Sequence, residues 1–120
     1  MHIICSTSIL NKALQALQKP LTSKQVIPIL TGIYIKTLDN AIELQSADLD
    51  FAVKITIPAQ IQTPGKIVVS GRYLTDVLKR TPSDEIEIFK NNQDNLIYLQ
   101  TLSSEYNLLS MPVEDYPQLS

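Results

Sequence analysis

Lys12 and Lys19 stand seven residues apart, and so do Arg72 and Lys79. On an α-helix, seven residues return to within about 20° of the same direction, roughly 10 Å along the axis, so each pair predicts two cations in line on one helix face. Lys24 follows the first pair and Arg80 extends the second, while Asn11, Gln15, Gln18 and Thr75 place neutral polar groups beside them. Such a face suits phosphates. Lys and Arg supply charge and the amides supply hydrogen bonds, whereas base-specific contact requires side chains that enter a groove.

The rest of the chain sharpens this contrast. Residues 6–24 and 70–81 hold six bases against Asp76 alone, a net of +5. The remainder holds four bases and eleven acids, a net of −7, which brings the whole to −2. An ordinary solvated helix face mixes both signs. Here an acidic protein gathers its positive charge on two short segments.

Other chemistries find little support. Asp48 and Asp50, two apart, are the best candidates for holding Mg²⁺ as in a nuclease, but no further acid or histidine lies close in sequence, and acids commonly occupy such strand turns. His2 sits at the terminus, a poor place to orient a base. No serine lies in a G-x-S-x-G context, and Gly32, Gly65 and Gly71 are isolated, so neither a nucleophile elbow nor a phosphate loop is present. Cys5 is the only cysteine, which excludes an internal disulfide and a multi-cysteine metal site; it reads as a small buried hydrophobe on the first strand. No catalytic residue, metal or cofactor is expected.

The elements that must carry the cations follow from periodicity. Residues 2–5 read as a strand, and Ser6 or Ser8 can cap a helix with Ile9, Leu10, Ala13, Leu14 and Leu17 on its apolar stripe, closed by Pro20. Three strands follow: 29–37, with Ile33 and Ile35 on one face; "AIELQS", with Ile42 and Leu44 inward; and "DFAVKITI", with Phe51, Val53, Ile55 and Ile57 alternating. Pro58 and Pro64-Gly65 mark a connector. The order then recurs: "KIVVS" as a strand, Ser70 as the cap of "GRYLTDVLKR" with Tyr73, Leu74, Val77 and Leu78 on its apolar side, then strands "EIEIF", "NLIYLQ" and "EYNLLSM". Two βαβββ units result, about 1–57 and 66–111, repeating in pattern only. An α+β domain spanning 1–120, with two antiparallel sheets and two helices on one face, is the simplest way to bury these stripes. With 44% apolar side chains the chain can build one core. It has no apolar run of about 18 residues, and its first ten residues lack a basic leader and a cleavage site, so a cytoplasmic location is expected.

The stretches "PIL" at 28–30, "SADLD" at 46–50, "GRYLTDVLKRTP" at 71–82 and "EYNLLSMPVEDYPQL" at 105–119 together resemble the first domain of the bacterial DNA polymerase III beta subunit, the sliding clamp. The resemblance covers essentially the whole chain, about a third of a family subunit. It implies the DNA-clamp fold, a non-catalytic role as processivity factor, and a ring in which two three-domain subunits close head to tail. In such a ring the helices face duplex DNA and the sheets form the rim. Lys24 stands where relatives place a basic DNA-contacting residue, Arg72 matches the arginine that opens the second helix, and Lys79 and Arg80 match a basic pair near its end; Lys12, Lys19 and Gln15 join them from helix geometry alone. DNA polymerase III and the clamp loader would bind through the later domains. Some relatives carry arginines where the partner subunit meets the last two strands, but residues 91–120 here contain no Lys or Arg. The expected interface is therefore apolar, with Tyr98, Leu99, Leu102, Tyr106 and Leu108 as candidates. A β-edge adaptor that accepts a peptide strand is the alternative, which explains the sheets but not the basic helices.

Overall fold

The structure, a computed structural model, describes residues 1–17, 32–47 and 52–116. Each half begins with a strand that runs straight into a helix. Strand β1 (His2–Ser6) leads into α1 (Thr7–Leu17), and β6 (Lys66–Ser70) leads into α2 (Gly71–Lys79). Ser6 and Ser70 make the junctions: the Ile9 amide donates to Ser6 Oγ and the Tyr73 amide to Ser70 Oγ, each at 3.3 Å. These bonds satisfy amides that have no partner inside the first helical turn.

Between and after the helices lie β2 (Gly32–Thr37), β3 (Ala41–Ala47), β4 (Ala52–Pro58), β5 (Gln60–Thr63), β7 (Glu85–Phe89), β8 (Leu96–Gln100) and β9 (Glu105–Met111). The strands are ordered β4-β3-β2-β6-β9-β8-β7-β1-β5, and every pairing is antiparallel. Two sheets are thus joined through β9, whose Glu105–Leu109 part pairs with β8 while Ser110 and Met111 pair with Val69 and Val68 of β6. At the other side, Pro58 lacks an N–H and ends β4, and after Ala59 the chain resumes as β5 beside β1. The expected connector therefore contains a strand. Its four residues, Gln60 to Thr63, lack the hydrophobic alternation that marks the others.

The first strands are exchanged between halves: β1 pairs with β7 and β6 with β2. Between the sheets and the helices lies one core of Ile3, Cys5, Ile33, Ile35, Ile42, Leu44, Ile67, Val69, Ile86, Ile88, Ile97 and Leu99, closed by Leu10, Leu14 and Leu17 of α1 and Leu74, Val77 and Leu78 of α2. Two expected core positions are exposed instead, Ile9 at 40% and Tyr73 at 58%. At 100° per residue each lies about 90° from the centre of its helix's aliphatic stripe (Leu10, Ala13, Leu14 and Leu17; Leu74, Val77 and Leu78), at the margin of the buried face. The helix stop at Pro20, strand residues 29–31, Asp48, Asp50 and Phe51 lie outside the described residues.

A second, smaller cluster lies on the other face of β2 and β6, where Tyr116 packs on Tyr34 (ring centroids 5.5 Å apart) and Val68. The Tyr116 hydroxyl donates to the carbonyls of Gly32 at 3.3 Å and Gln45 at 3.1 Å, fastening the segment after β9 to β2 and β3. Burial pushes this phenol up to about 12. Replacing Tyr116 with Phe keeps the ring and removes the latch, and is expected to lower stability by about 1–2 kcal/mol. Chemical denaturation measures this directly, and an unchanged midpoint would show the latch to be idle.

Candidate nucleic-acid interface

The helices are amphipathic and lie side by side on the same core, so their remaining faces form one surface. On α2, Arg72 and Lys79 are exposed, with Arg80 exposed at the helix end, where its N–H returns to the carbonyls of Leu78 and Val77. Lys79 and Arg80 also sit at the partly negative helix C-terminus, which favours cations. Lys12 and Gln15 are exposed on α1. Lys19 and Lys24 lie outside the described residues.

Among the described residues the basic side chains that meet a carboxylate are His2, hydrogen-bonded to Glu87 at 2.8 Å, and Lys54, 3.8 Å from Glu43, all on strands. None of Lys12, Arg72, Lys79 and Arg80 pairs with a carboxylate of a described residue in this way. Cations left unpaired beside one another attract an anionic partner, and on helices packed over a rigid core they hold their spacing. Beside these cations the surface presents neutral polar side chains, among them Gln15 of α1.

The sites weighed against this reading look different. His2 is ordered, with Nε2 against Glu87 Oε2 and its ring edge-on to Phe89, yet that pair has no nucleophile beside it. Cys5 is buried, and burial first, then the charge of Glu85, pushes its thiol up to about 12, so it carries no thiolate at neutral pH. Among the described residues, no three of His, Cys, Asp and Glu gather into a metal-binding set. No helix there is long and apolar enough to cross a membrane.

The five interface candidates separate. Leu99 is fully buried in the core and offers nothing to a partner, a correction that follows from its alternation with Ile97 on the inner face of β8. Tyr98 is half-buried and donates to Asp94 Oδ2 at 2.7 Å; this bond, with the Leu96 amide, holds the Asp94 carboxyl below its usual value. Tyr106 and Leu108 are half-buried against the core, and Leu102 is fully exposed in the segment between β8 and β9. Leu109, exposed at 74%, had not been singled out. Its signal was present, since neighbours on a strand face opposite ways and Leu108-Leu109 must put one side chain outside. Leu108, Leu109, Met111, Tyr73, Ser70 and Asn107 line a groove of about 370 Å³ along β9.

A pair of cation-bearing helices laid across sheets whose first strands are exchanged defines a DNA-clamp domain. The chain belongs to the DNA polymerase III beta subunit family, whose N-terminal domain matches residues 1–120. The beta sliding clamp of Bacillus subtilis is 30% identical over 116 residues, which cover 90% of this chain and 30% of that protein. That of Micrococcus luteus is 28% identical over 119 residues, 99% of this chain and 38% of the other. The sliding clamp structure from Caulobacter crescentus superimposes with a TM-score of 0.93 at 26% identity, and that from Bacillus subtilis with 0.92 at 29%; each match covers 100% of this chain and 33% of the other. The chain thus spans about a third of the length of these relatives.

The serine cap determines how firmly α2 presents its cations. Ser70→Ala is expected to cost about 1 kcal/mol of stability, read as a lowered denaturation midpoint. Equal midpoints would mean that water replaces the cap without loss.

Proposed function

We propose that this chain acts as the first domain of a ring-shaped sliding clamp that surrounds duplex DNA and tethers the replicative polymerase. The observation that carries the reading is the set of exposed cations, unpaired among the described residues, on two helices that share one surface, opposite sheets rich in acids. Lys12, Gln15, Arg72, Lys79 and Arg80 meet phosphates, joined by Lys19 and Lys24. No bond is made or broken, so the role is that of a non-catalytic accessory factor in the bacterial cytoplasm.

Physical chemistry favours weak contacts for this task. Neutralising about five phosphates makes log K fall with log salt at a slope of roughly −4.5, so the contacts exchange readily near physiological salt. Enclosure then supplies retention, and contacts blind to sequence permit sliding. DNA polymerase III and the clamp loader bind through the other domains of the subunit. In this reading the groove along β9 seats the partner subunit, with Tyr106, Leu108 and Leu109 supplying apolar contact and the unpaired strand edge supplying hydrogen bonds.

Two experiments on the full-length subunit test these assignments. Reversing Arg72 and Lys79 to Glu removes two phosphate contacts; the salt slope should become shallower by about 1.8, with faster loss from nicked circular DNA and an unchanged circular dichroism spectrum. Undiminished retention would take α2 out of the DNA-facing role. For the groove, Leu109→Glu places a charge where apolar contact is expected and should shift sedimentation from dimer to monomer at micromolar concentration. A dimer that survives this change places the subunit contact elsewhere.

A further inference from the structure

Asp76 is the only acid on either described helix, and it occupies the middle of the α2 surface that faces away from the core. Gly71, Leu74, Thr75, Val77 and Leu78 are buried, which leaves Arg72, Tyr73, Asp76, Lys79 and Arg80 on the outer arc. At 100° per residue, Arg72 and Lys79 lie about 40° and 60° to one side of Asp76, and Arg80 lies about 40° to the other. The carboxylate is therefore flanked by cations on both sides. An Asp four residues before an Arg is in the orientation that favours pairing, yet no ion pair forms between Asp76 and any described residue.

The position has a counterpart. Ser6 and Ser70 are equivalent caps, and counting from them the residue on α1 that corresponds to Asp76 is Lys12, exposed like it. A cation therefore occupies the centre of the α1 face and an anion the centre of the α2 face. Substituting a base at Asp76 would complete the cationic surface at no cost in packing, because the side chain is exposed. The carboxylate does the reverse, repelling whatever phosphates approach α2.

We propose that Asp76 limits the affinity of α2 for the DNA backbone, holding phosphates toward the Arg72–Lys79 and Arg80 edges of the helix rather than over its centre. The proposal rests on the DNA-facing reading of α2 and deepens it: the surface is tuned for weak contact by a built-in repulsion, not only by a modest number of cations. In water-like dielectric, a carboxylate about 7 Å from a phosphate opposes binding by a factor of about three, less as salt rises. With two phosphates in range, removing the charge should tighten binding roughly two- to seven-fold at low salt.

The test uses the full-length subunit, a linear duplex of mixed sequence, and a salt titration of binding with three variants. Asp76→Asn removes the charge in place; Asp39→Asn makes the same change at an exposed position in the β2–β3 turn; Arg72→Glu probes the face itself. Expected are two- to seven-fold tighter binding for Asp76→Asn at low salt, converging with the parent as salt rises, unchanged binding for Asp39→Asn, and weaker binding for Arg72→Glu. If Asp76→Asn matches the parent or Asp39→Asn, or binds more weakly, while Arg72→Glu still weakens binding, the limiting role of Asp76 is overturned and the DNA-facing reading stands. If neither Asp76→Asn nor Arg72→Glu alters binding, both fall together. Thermal midpoints of the three variants, expected to equal the parent's, establish that binding and not folding has been read.

Discussion

A strand that turns into a helix without a loop leaves the helix little freedom of direction, and this fold makes that junction twice. Ser6 and Ser70 each end a strand and cap the following helix with the same side-chain bond. The start of α1 is tied further, its Thr7 amide donating to the Asp84 carbonyl at 2.9 Å. Because β1 is held by β7 and β6 by β2, each helix issues from a strand anchored in the other half. Neither half can place its helix without the other, and the two helices arrive together on one side. Everything functional about the surface follows from that placement.

The placement in turn makes the charge pattern intelligible. Each helix must bury one stripe, Leu10, Ala13, Leu14 and Leu17 on α1 and Leu74, Val77 and Leu78 on α2, and only the residues off that stripe are free to carry charge. On the strands, acids such as Glu43 and Glu87 pair with nearby bases, whereas the cations of the helices stay unpaired among the described residues. Separating the signs this way has a cost in self-repulsion along α2, eased by the helix C-terminus near Lys79 and Arg80. An arrangement that is locally unfavourable yet consistent across two helices is more readily explained by an anionic partner than by folding.

Much of this was legible in the sequence because period and punctuation agreed. The cap at Ser6 or Ser8, the cap at Ser70 and the alternation in "EIEIF" and "LIYLQ" each point to one element, and the structure has those elements, with Ser6 as the first cap. What was not legible depended on context. Strand β5 is short and polar, and it exists because β1 offers it an edge, not because its own pattern demands it. The spacing of Tyr73 with Leu74, Val77 and Leu78 suggests core, but its helical angle puts it at the margin of that stripe, beside the β9 groove. Leu99, a candidate for the subunit contact, is buried, while Leu109, which the pattern did not single out, is exposed, because membership of an inner or outer face depends on register.

Strand β9 leaves part of one edge open. Its last residues pair with β6, but from Glu105 to Leu109 it is paired with β8 on one side only among the described residues. Isolated proteins commonly protect such an edge with lysine, proline or a bulge, since an open row of N–H and C=O groups invites pairing with any strand. This edge has no such protection. Residues 91–120 contain no Lys or Arg, and Leu109 and the Tyr73 ring stand exposed beside the strand. An edge left both unpaired and apolar would be a liability in a free monomer and is an asset where a partner strand is always supplied. In the ring proposed above, the feature that would favour aggregation of this domain alone would supply the contact between subunits.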